Sequence, residues 1–172
     1  DRVNPQNAFV LLKSERVDAM SHLHEAIQKG AIAIITDATA HVTHDQLPSH
    51  VKLLKIANLE TQLGHMADLF YQSPSTHLNI TGITGTNGKT TSMWLQAQIT
   101  HALYLGTIGI GVPPNTTPSS HTTLDVLSLH RWLRDAVDKG IQHVSLEVSS
   151  HALDQQRTDQ VFAHRFLRER RR

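Results

Sequence analysis

The stretch from Asn79 to Thr91, N-I-T-G-I-T-G-T-N-G-K-T-T, carries the residue types that hold a phosphate. Leu78, Ile80 and Ile83 form a short apolar run that reads as a buried strand. Gly82, Gly85 and Gly88 interrupt it, and Lys89-Thr90-Thr91 open a helix. Glycines let a backbone turn tightly and present its N–H groups to an anion with no Cβ in the way. The first turn of the helix adds unpaired N–H groups and the positive end of its dipole. Lys89 can reach β/γ-phosphates, and the Thr90 hydroxyl can ligate Mg²⁺. A strict Walker pattern has a glycine where Ile83 stands, and Gly82 lies one residue early. The competing reading is a glycine-rich turn before an ordinary helix. Agreement between strand, turn, G-K-T-T and helix favours a nucleotide-triphosphate site.

Two further clusters could work with this loop. Glu147 ends an apolar strand, where an unpaired carboxylate is costly. Its partner is then a cation, either Mg²⁺ shared with Thr90 or a nearby Arg or Lys. Ser149, Ser150 and His151 follow directly, but adjacent residues rarely satisfy triad geometry and no G-x-S-x-G elbow is present, which excludes a serine hydrolase. Asn115, Thr116 and Thr117 sit in a Pro/Ser/Thr/Asn-rich stretch, Val112 to His121, that reads as a loop. Arg157 follows a short turn. Its fork could bind phosphate or carboxylate, and a plain surface arginine is an equally open reading.

Composition narrows the function classes. Lys and Arg number 16 against 15 Asp and Glu, for a net charge of +1, so no global field favours nucleic acid. The basic run Arg165–Arg172 reads as a solvated end. The absence of cysteine excludes a disulfide framework, a thiol nucleophile and a Cys-based zinc site. The 13 histidines are scattered, and His22/His24 and His41/His44 lack carboxylates at a metal spacing. No apolar run is long enough for a transmembrane helix and no signal peptide opens the chain. A soluble cytoplasmic protein is expected, with no membrane or nucleic-acid partner.

At 172 residues the chain suits one large or two small domains. Phe9–Leu12 reads as a strand, Ser21–Lys29 as a helix ended by Gly30, and Ala31–Ile35 as a parallel strand covered on both faces. Val51–Ile56 is a further strand, and Asn58 caps a helix striped by Leu59, Leu63, Met66 and Phe70. Gln72–Thr76 is the linker candidate, which gives domains 1–73 and 74–172. Beyond it the spacing predicts a helix from about Lys89 to Leu103 with Leu95, Ile99, Ala102 and Leu103 on one face. A strand over Tyr104–Ile110 follows, then a helix carrying Val126, Leu129, Leu133, Ala136 and Val137 behind a Thr122/Asp125 capping box. Gly140 ends it, and Ile141–Val148 is the last strand. The fold class is α/β: a small N-terminal α/β domain, then a P-loop-type, mainly parallel α/β central domain that is incomplete. Ligands in such sheets gather at the carboxyl ends of strands.

Three motifs taken together, T-G-T-N-G-K-T-T, N-T-T-P and E-V-S-S-H-A-L-D-Q-Q-R, resemble the Mur ligase family, and within it the tripeptide-forming members. The opening D-R-V-N-P-Q-N-A-F-V and the later H-L-H-E-A-I-Q-K-G-A-I-A-I-I-T-D resemble the first domain of those members, so the likeness runs from residue 1 to about 157. The resemblance implies ATP-dependent amide-bond formation in peptidoglycan synthesis. The third amino acid, meso-diaminopimelate or L-lysine, would join UDP-MurNAc-L-Ala-D-Glu through an acyl phosphate. It implies ATP on Gly85, Thr86, Asn87, Gly88, Lys89, Thr90 and Thr91, Mg²⁺ on Thr90 and Glu147, and Lys89 and Glu147 as the catalytic pair. It assigns Asn115, Thr116, Thr117, Ser149, Gln155 and Arg157 to the UDP-sugar-peptide, residues 1–73 to a UDP-substrate-binding domain, and residues 74–172 to a partial ATP-binding domain. A monomer is expected. The family's carbamylated lysine, second metal-binding histidine and C-terminal domain have no counterpart here, so a chain of this extent is expected to be inactive alone. Asp1-Arg2-Val3 also lacks the serine of the family's D-S-R opening, and Lys13–Asp18 and Ile99–Leu105 are short. Alternatives are a D-Ala-D-Ala-adding or folylpolyglutamate-type ligase, or a non-catalytic nucleotide-binding module. The N-T-T-P and E-V-S-S-H segments count against the module, which needs no loop for a second substrate.

Overall fold

The computed structural model describes residues 3–12, 19–119, 122–155, 157–158 and 160–162. The expectations for Asp1-Arg2, Lys13–Asp18 and Arg165–Arg172 lie outside them. The chain divides into two compact units, residues 1–62 and 63–172.

In the first unit, β1 (Ala8–Leu11), β2 (Ala33–Asp37) and β3 (Lys52–Ile56) form a parallel sheet in that order. The helix α1 (Ala19–Gln28) packs Leu23 and Ala26 against Leu11 and Ile34. Gly30, at φ +90°, turns the chain out of α1 with the Ala31 N–H bonded to the Ala26 carbonyl. The run expected over Ala31–Ile35 pairs two residues later and is not covered on both faces. Burial alternates along β2, Ile34 and Thr36 are enclosed, and Ile32 is exposed. Helix α1 packs against one face of this sheet, and alternate side chains along a strand point to opposite faces.

The helix α2 (Leu59–Phe70) buries Leu59, Leu63 and Ala67. Asn58 is not its side-chain cap. Asn58 is left-handed at φ 52°, and Asp37 Oδ2 accepts the Leu59 N–H at 3.0 Å in its place. Met66 and Phe70, expected on the buried stripe, give way to Ala67, and Phe70 is largely exposed. After Gln72 and Ser73, both left-handed, residues 74–77 make one 3-10 turn.

The second unit holds β4 (Asn79–Ile83), α3 (Lys89–Thr100), β5 (Leu103–Gly106), β6 (Gly109–Val112), β7 (Asn115–Thr117), α4 (Val126–Asp138), β8 (His143–Glu147) and α5 (Ser150–Asp154). The sheet order is β4-β8-β5-β6-β7. The first three strands are parallel, and β6 and β7 add an antiparallel edge. The expected single strand Tyr104–Ile110 is therefore a hairpin turned at Thr107-Ile108. The expected loop after Val112 folds back as β7, with Ile110 opposite Thr117.

Strand alternation sorts the two faces. Leu103, Leu105, Val144 and Leu146 meet Leu129, Leu133 and Ala136 of α4, while Tyr104 meets Met93 and Ala97 of α3. On α3 the buried stripe is Met93 and Ala97, whereas the expected Leu95 and Ile99 are exposed and Leu103 already belongs to β5. The N-cap of α4 is Asp125 alone, accepting from the Ser128 N–H at 2.9 Å, and no Thr122 box forms. The 3.6-residue period of α4 keeps Leu129 and Leu133 fully enclosed, and truncating such a leucine costs about 2–5 kcal/mol. The exposed pairs Lys29–Glu25 and Lys139–Asp135 contribute far less, about 0–1 kcal/mol each.

Candidate functional site

Because β8 lies between β4 and β5, the carboxyl ends of β4 and β8 are neighbours, and the ladder pairs Ile83 with Glu147. The glycine loop leaves β4 at that point. Gly85 (φ +144°) and Gly88 (φ +80°) take conformations that side chains rarely adopt, and the loop is exposed. Gly88 is the N-cap of α3 and no side chain caps the helix, so its first N–H groups face outward. Lys89 Nζ curls back over the loop and donates to the Gly85 carbonyl at 2.6 Å. A bound anion would offer it a stronger, charge-assisted partner.

Across the strand ends stands Glu147, fully buried. Thr90 Oγ1 donates to Glu147 Oε2 at 2.8 Å, joining residues far apart in the chain. The Tyr104 hydroxyl and the Thr107 N–H (3.1 Å) donate to Oε1, and Thr107 Oγ1 lies 3.3 Å from Oε2. No lysine or arginine pairs with this carboxylate among the described residues. Hydroxyl and amide donors support a buried negative charge without cancelling it, and that suits a cation ligand. No group of three or more His, Asp or Glu side chains converges among the described residues. An ion at Thr90 and Glu147 would take its other ligands from phosphate oxygens and water, as Mg²⁺ usually does.

The remaining expected residues are distributed around this end of the sheet. Ser149 is the N-cap of α5, its Oγ accepting the Ala152 N–H at 3.1 Å. Its own N–H donates to Thr123 Oγ1, which in turn donates to the Glu147 carbonyl, both at 3.0 Å. Arg157 Nη1 reaches the Thr123 carbonyl at 3.4 Å. Buried Thr123 thus ties Glu147, Ser149 and Arg157 together. Gln155 instead pairs with His151 at 2.9 Å and is exposed. Asn115, Thr116 and Thr117 lie on edge strand β7. That strand runs the same way as β5, so Thr117 points the chain toward the Glu147 end.

Three contributors escaped the sequence reading: Tyr104, Thr107 and Thr123. For Tyr104 a signal existed, since one tyrosine in the run L-Y-L-G must point its hydroxyl at some polar partner when buried. In the first unit a cleft of about 710 Å³ opens at the carboxyl ends of β1 and β2, lined by Leu11, Met20, Thr36, Asp37, His41 and Gln46 among others.

The model of the Mur ligase middle domain matches residues 83–166. A 2,6-diaminopimelate ligase of UDP-N-acetylmuramoyl-L-alanyl-D-glutamate from Xylella fastidiosa (strain 9a5c) is 38% identical, with 92% of this chain and 32% of that protein covered. Residues 83–166 belong to the Mur ligase middle-domain family. The Geobacter metallireducens ligase of the same name is 34% identical over 92% of this chain and 31% of its own length. A solved structure of a ligase with that name superposes with a TM-score of 0.70 at 30% identity, covering 92% of this chain and 32% of that one. A Thermotoga maritima MurF ligase in complex with ADP shares the fold, with a TM-score of 0.56 at 21% identity, over 93% of this chain and 33% of that one. The chain spans about a third of the length of the curated relatives it matches. No helix among the described residues is long and apolar enough to cross a membrane.

Proposed function

We propose that the chain supplies the nucleotide site and part of the substrate site of an ATP-dependent amide ligase. That ligase adds a third amino acid to UDP-MurNAc-L-Ala-D-Glu. The observation that carries this reading is the Thr90–Glu147 contact beside the glycine loop. Names of the relatives favour 2,6-diaminopimelate over L-lysine as the added amino acid. The higher similarity to the diaminopimelate ligase than to MurF argues against the D-Ala-D-Ala-adding reaction.

In the reaction, a terminal carboxylate oxygen of the sugar-peptide attacks the γ-phosphorus. The bond from phosphorus to the β,γ-bridging oxygen breaks, and ADP leaves. The amine then attacks the acyl carbon, loses a proton, and expels phosphate as the amide forms. Loop N–H groups and Lys89 would hold the β/γ-phosphates, where positioning and charge supply most of the acceleration. Thr90 and Glu147 would hold Mg²⁺, which when bound screens charge on the transferring phosphoryl group. Thr117, Ser149 and Arg157 are proposed to contact the sugar-peptide, with Asn115, Thr116 and Gln155 at the margin. Arg157 would offer a bidentate fork to its diphosphate or carboxylates. The first-unit cleft, at a strand-end position suited to ligands, is proposed to take the uridine end. A cytoplasmic location follows from the substrates.

The test is titration of the 172-residue chain with ADP and Mg²⁺. Lys89→Ala should weaken binding by about 10- to 100-fold, the range for losing a charge-assisted contact, with Tm unchanged. Unaltered affinity sinks the nucleotide assignment. A coupled ligation assay on the same chain should give no product, and product would show that this segment suffices.

A further inference from the structure

The four donors on Glu147 are not equivalent. Thr90 and Thr107 carry hydroxyl protons that rotate freely about one bond. Tyr104 does not have that freedom. It is fully buried, and Trp94 stands edge-on against it, with ring centroids 5.2 Å apart at 90°. Its hydroxyl oxygen accepts the Ile108 N–H at 3.3 Å, which directs its single proton to Glu147 Oε1.

Strand geometry explains why Tyr104 can reach the carboxylate. The ladder sets Tyr104 opposite Ser145 and Leu105 opposite Leu146, so the next pair is Gly106 with Glu147. A Cβ at Gly106 would overlap both Glu147 Oε1 and the Tyr104 hydroxyl. Only glycine leaves the gap in which the two groups meet. On the other side, among the described residues Oε2 receives only threonine hydroxyls, whose protons can swing away from an arriving cation without moving a heavy atom.

We propose that Tyr104 is a positioning residue for the metal–nucleotide site. By holding Oε1 it leaves Oε2, beside Thr90 Oγ1, as the single carboxylate oxygen offered to a divalent cation. This rests on the nucleotide–Mg²⁺ reading above. Outer partners that orient a metal ligand typically contribute 10- to 100-fold in metal affinity. Tyr104→Phe keeps the ring and its Trp94 contact and removes only the hydroxyl.

The experiment measures Mn²⁺ affinity of the 172-residue chain by electron paramagnetic resonance at saturating ADP, and ADP affinity in EDTA. Wild type should bind Mn²⁺ in the ternary complex and Glu147→Gln should not. Tyr104→Phe should weaken Mn²⁺ by about 10-fold or more while binding metal-free ADP as wild type does. If Tyr104→Phe retains wild-type Mn²⁺ affinity while Glu147→Gln loses it, the proposal is overturned and the metal site stands. Equal losses with and without metal would make Tyr104 a packing residue only, which also overturns it. If wild type binds Mn²⁺ no better with ADP than without, the underlying reading of the site fails, and the proposal with it.

Discussion

Two carboxylates end two parallel strands in this chain, and the two units use them differently. Asp37 closes β2 in the first unit. Its Oδ1 accepts the Thr39 N–H and hydroxyl at 2.9 and 2.7 Å, and its Oδ2 accepts the Leu59 N–H at 3.0 Å. Those bonds, the Thr39 N–H foremost, hold the Asp37 carboxyl below the usual range. Glu147 closes β8 in the second unit, where helices cover both faces of the sheet, and is completely enclosed. Two backbone N–H groups and the Thr39 hydroxyl satisfy the half-buried Asp37, and one of those N–H groups opens α2. Hydroxyls dominate around Glu147, and a hydroxyl proton can give way to a cation. The position at a strand end is shared. Burial and donor type separate the carboxylate that caps a helix from the one proposed to serve a ligand.

The strongest way to break this contrast is Gly106→Ala. The added methyl collides with Oε1, so Mn²⁺ affinity at saturating ADP should fall by about 100-fold, the upper end for disturbing a ligand's support. Binding within two-fold of wild type would mean that Glu147 does not need its present orientation.

Asp37→Ala is the matched change in the first unit. It uncaps α2 and releases the turn at Thr39, so Tm should drop by a few degrees while ADP and Mn²⁺ affinities hold. A Tm equal to wild type would show that the Asp37 bonds contribute nothing to the fold, and a lost metal response would erase the distinction between the two carboxylates.

The smallest expected effect sharpens what burial alone does. His130 of α4 is fully enclosed, with Nδ1 2.9 Å from the Val126 carbonyl and Nε2 3.8 Å from Asp68 Oδ1. Those two facing atoms, Nε2 and Oδ1, lack hydrogen-bond partners. Burial pushes the His130 pKa down, with the carbonyl and Asp68 opposing. The unfolded chain then binds a proton first as pH falls below about 6.5, so stability is present above that value and declines beneath it. Melting between pH 7.5 and 5 should show this decline, and His130→Gln should flatten it. An unchanged slope in the variant would assign the pH response to other groups.

Much of this chain was legible without coordinates because the cues were local. Gly30 and Gly140 stop helices where they stand, and glycine next to G-K-T-T calls for a backbone that turns onto an anion. The core leucines of α4 follow from the helical period alone. Helix α3 was read on the wrong face because Leu95 and Ile99 are four apart, as are Met93 and Ala97. Periodicity identifies a stripe but not which of two stripes meets the sheet. The hairpin at Thr107-Ile108 was missed because apolar residues continue through it without a break.

Sequence alone determined the glycine-rich loop that opens α3, whose glycines, lysine and threonine lie close together in the chain and need only local geometry. The tertiary structure decided what that loop faces. Insertion of β8 between β4 and β5 brings Glu147 beside Thr90, and the register of β5 against β8 brings Tyr104 and Gly106 to the same carboxylate. The physical reason is that strand pairing joins residues by backbone hydrogen bonds whatever their separation in the chain. A period of two then selects which side chains share a face, and neither the partner nor the register is written in any single segment.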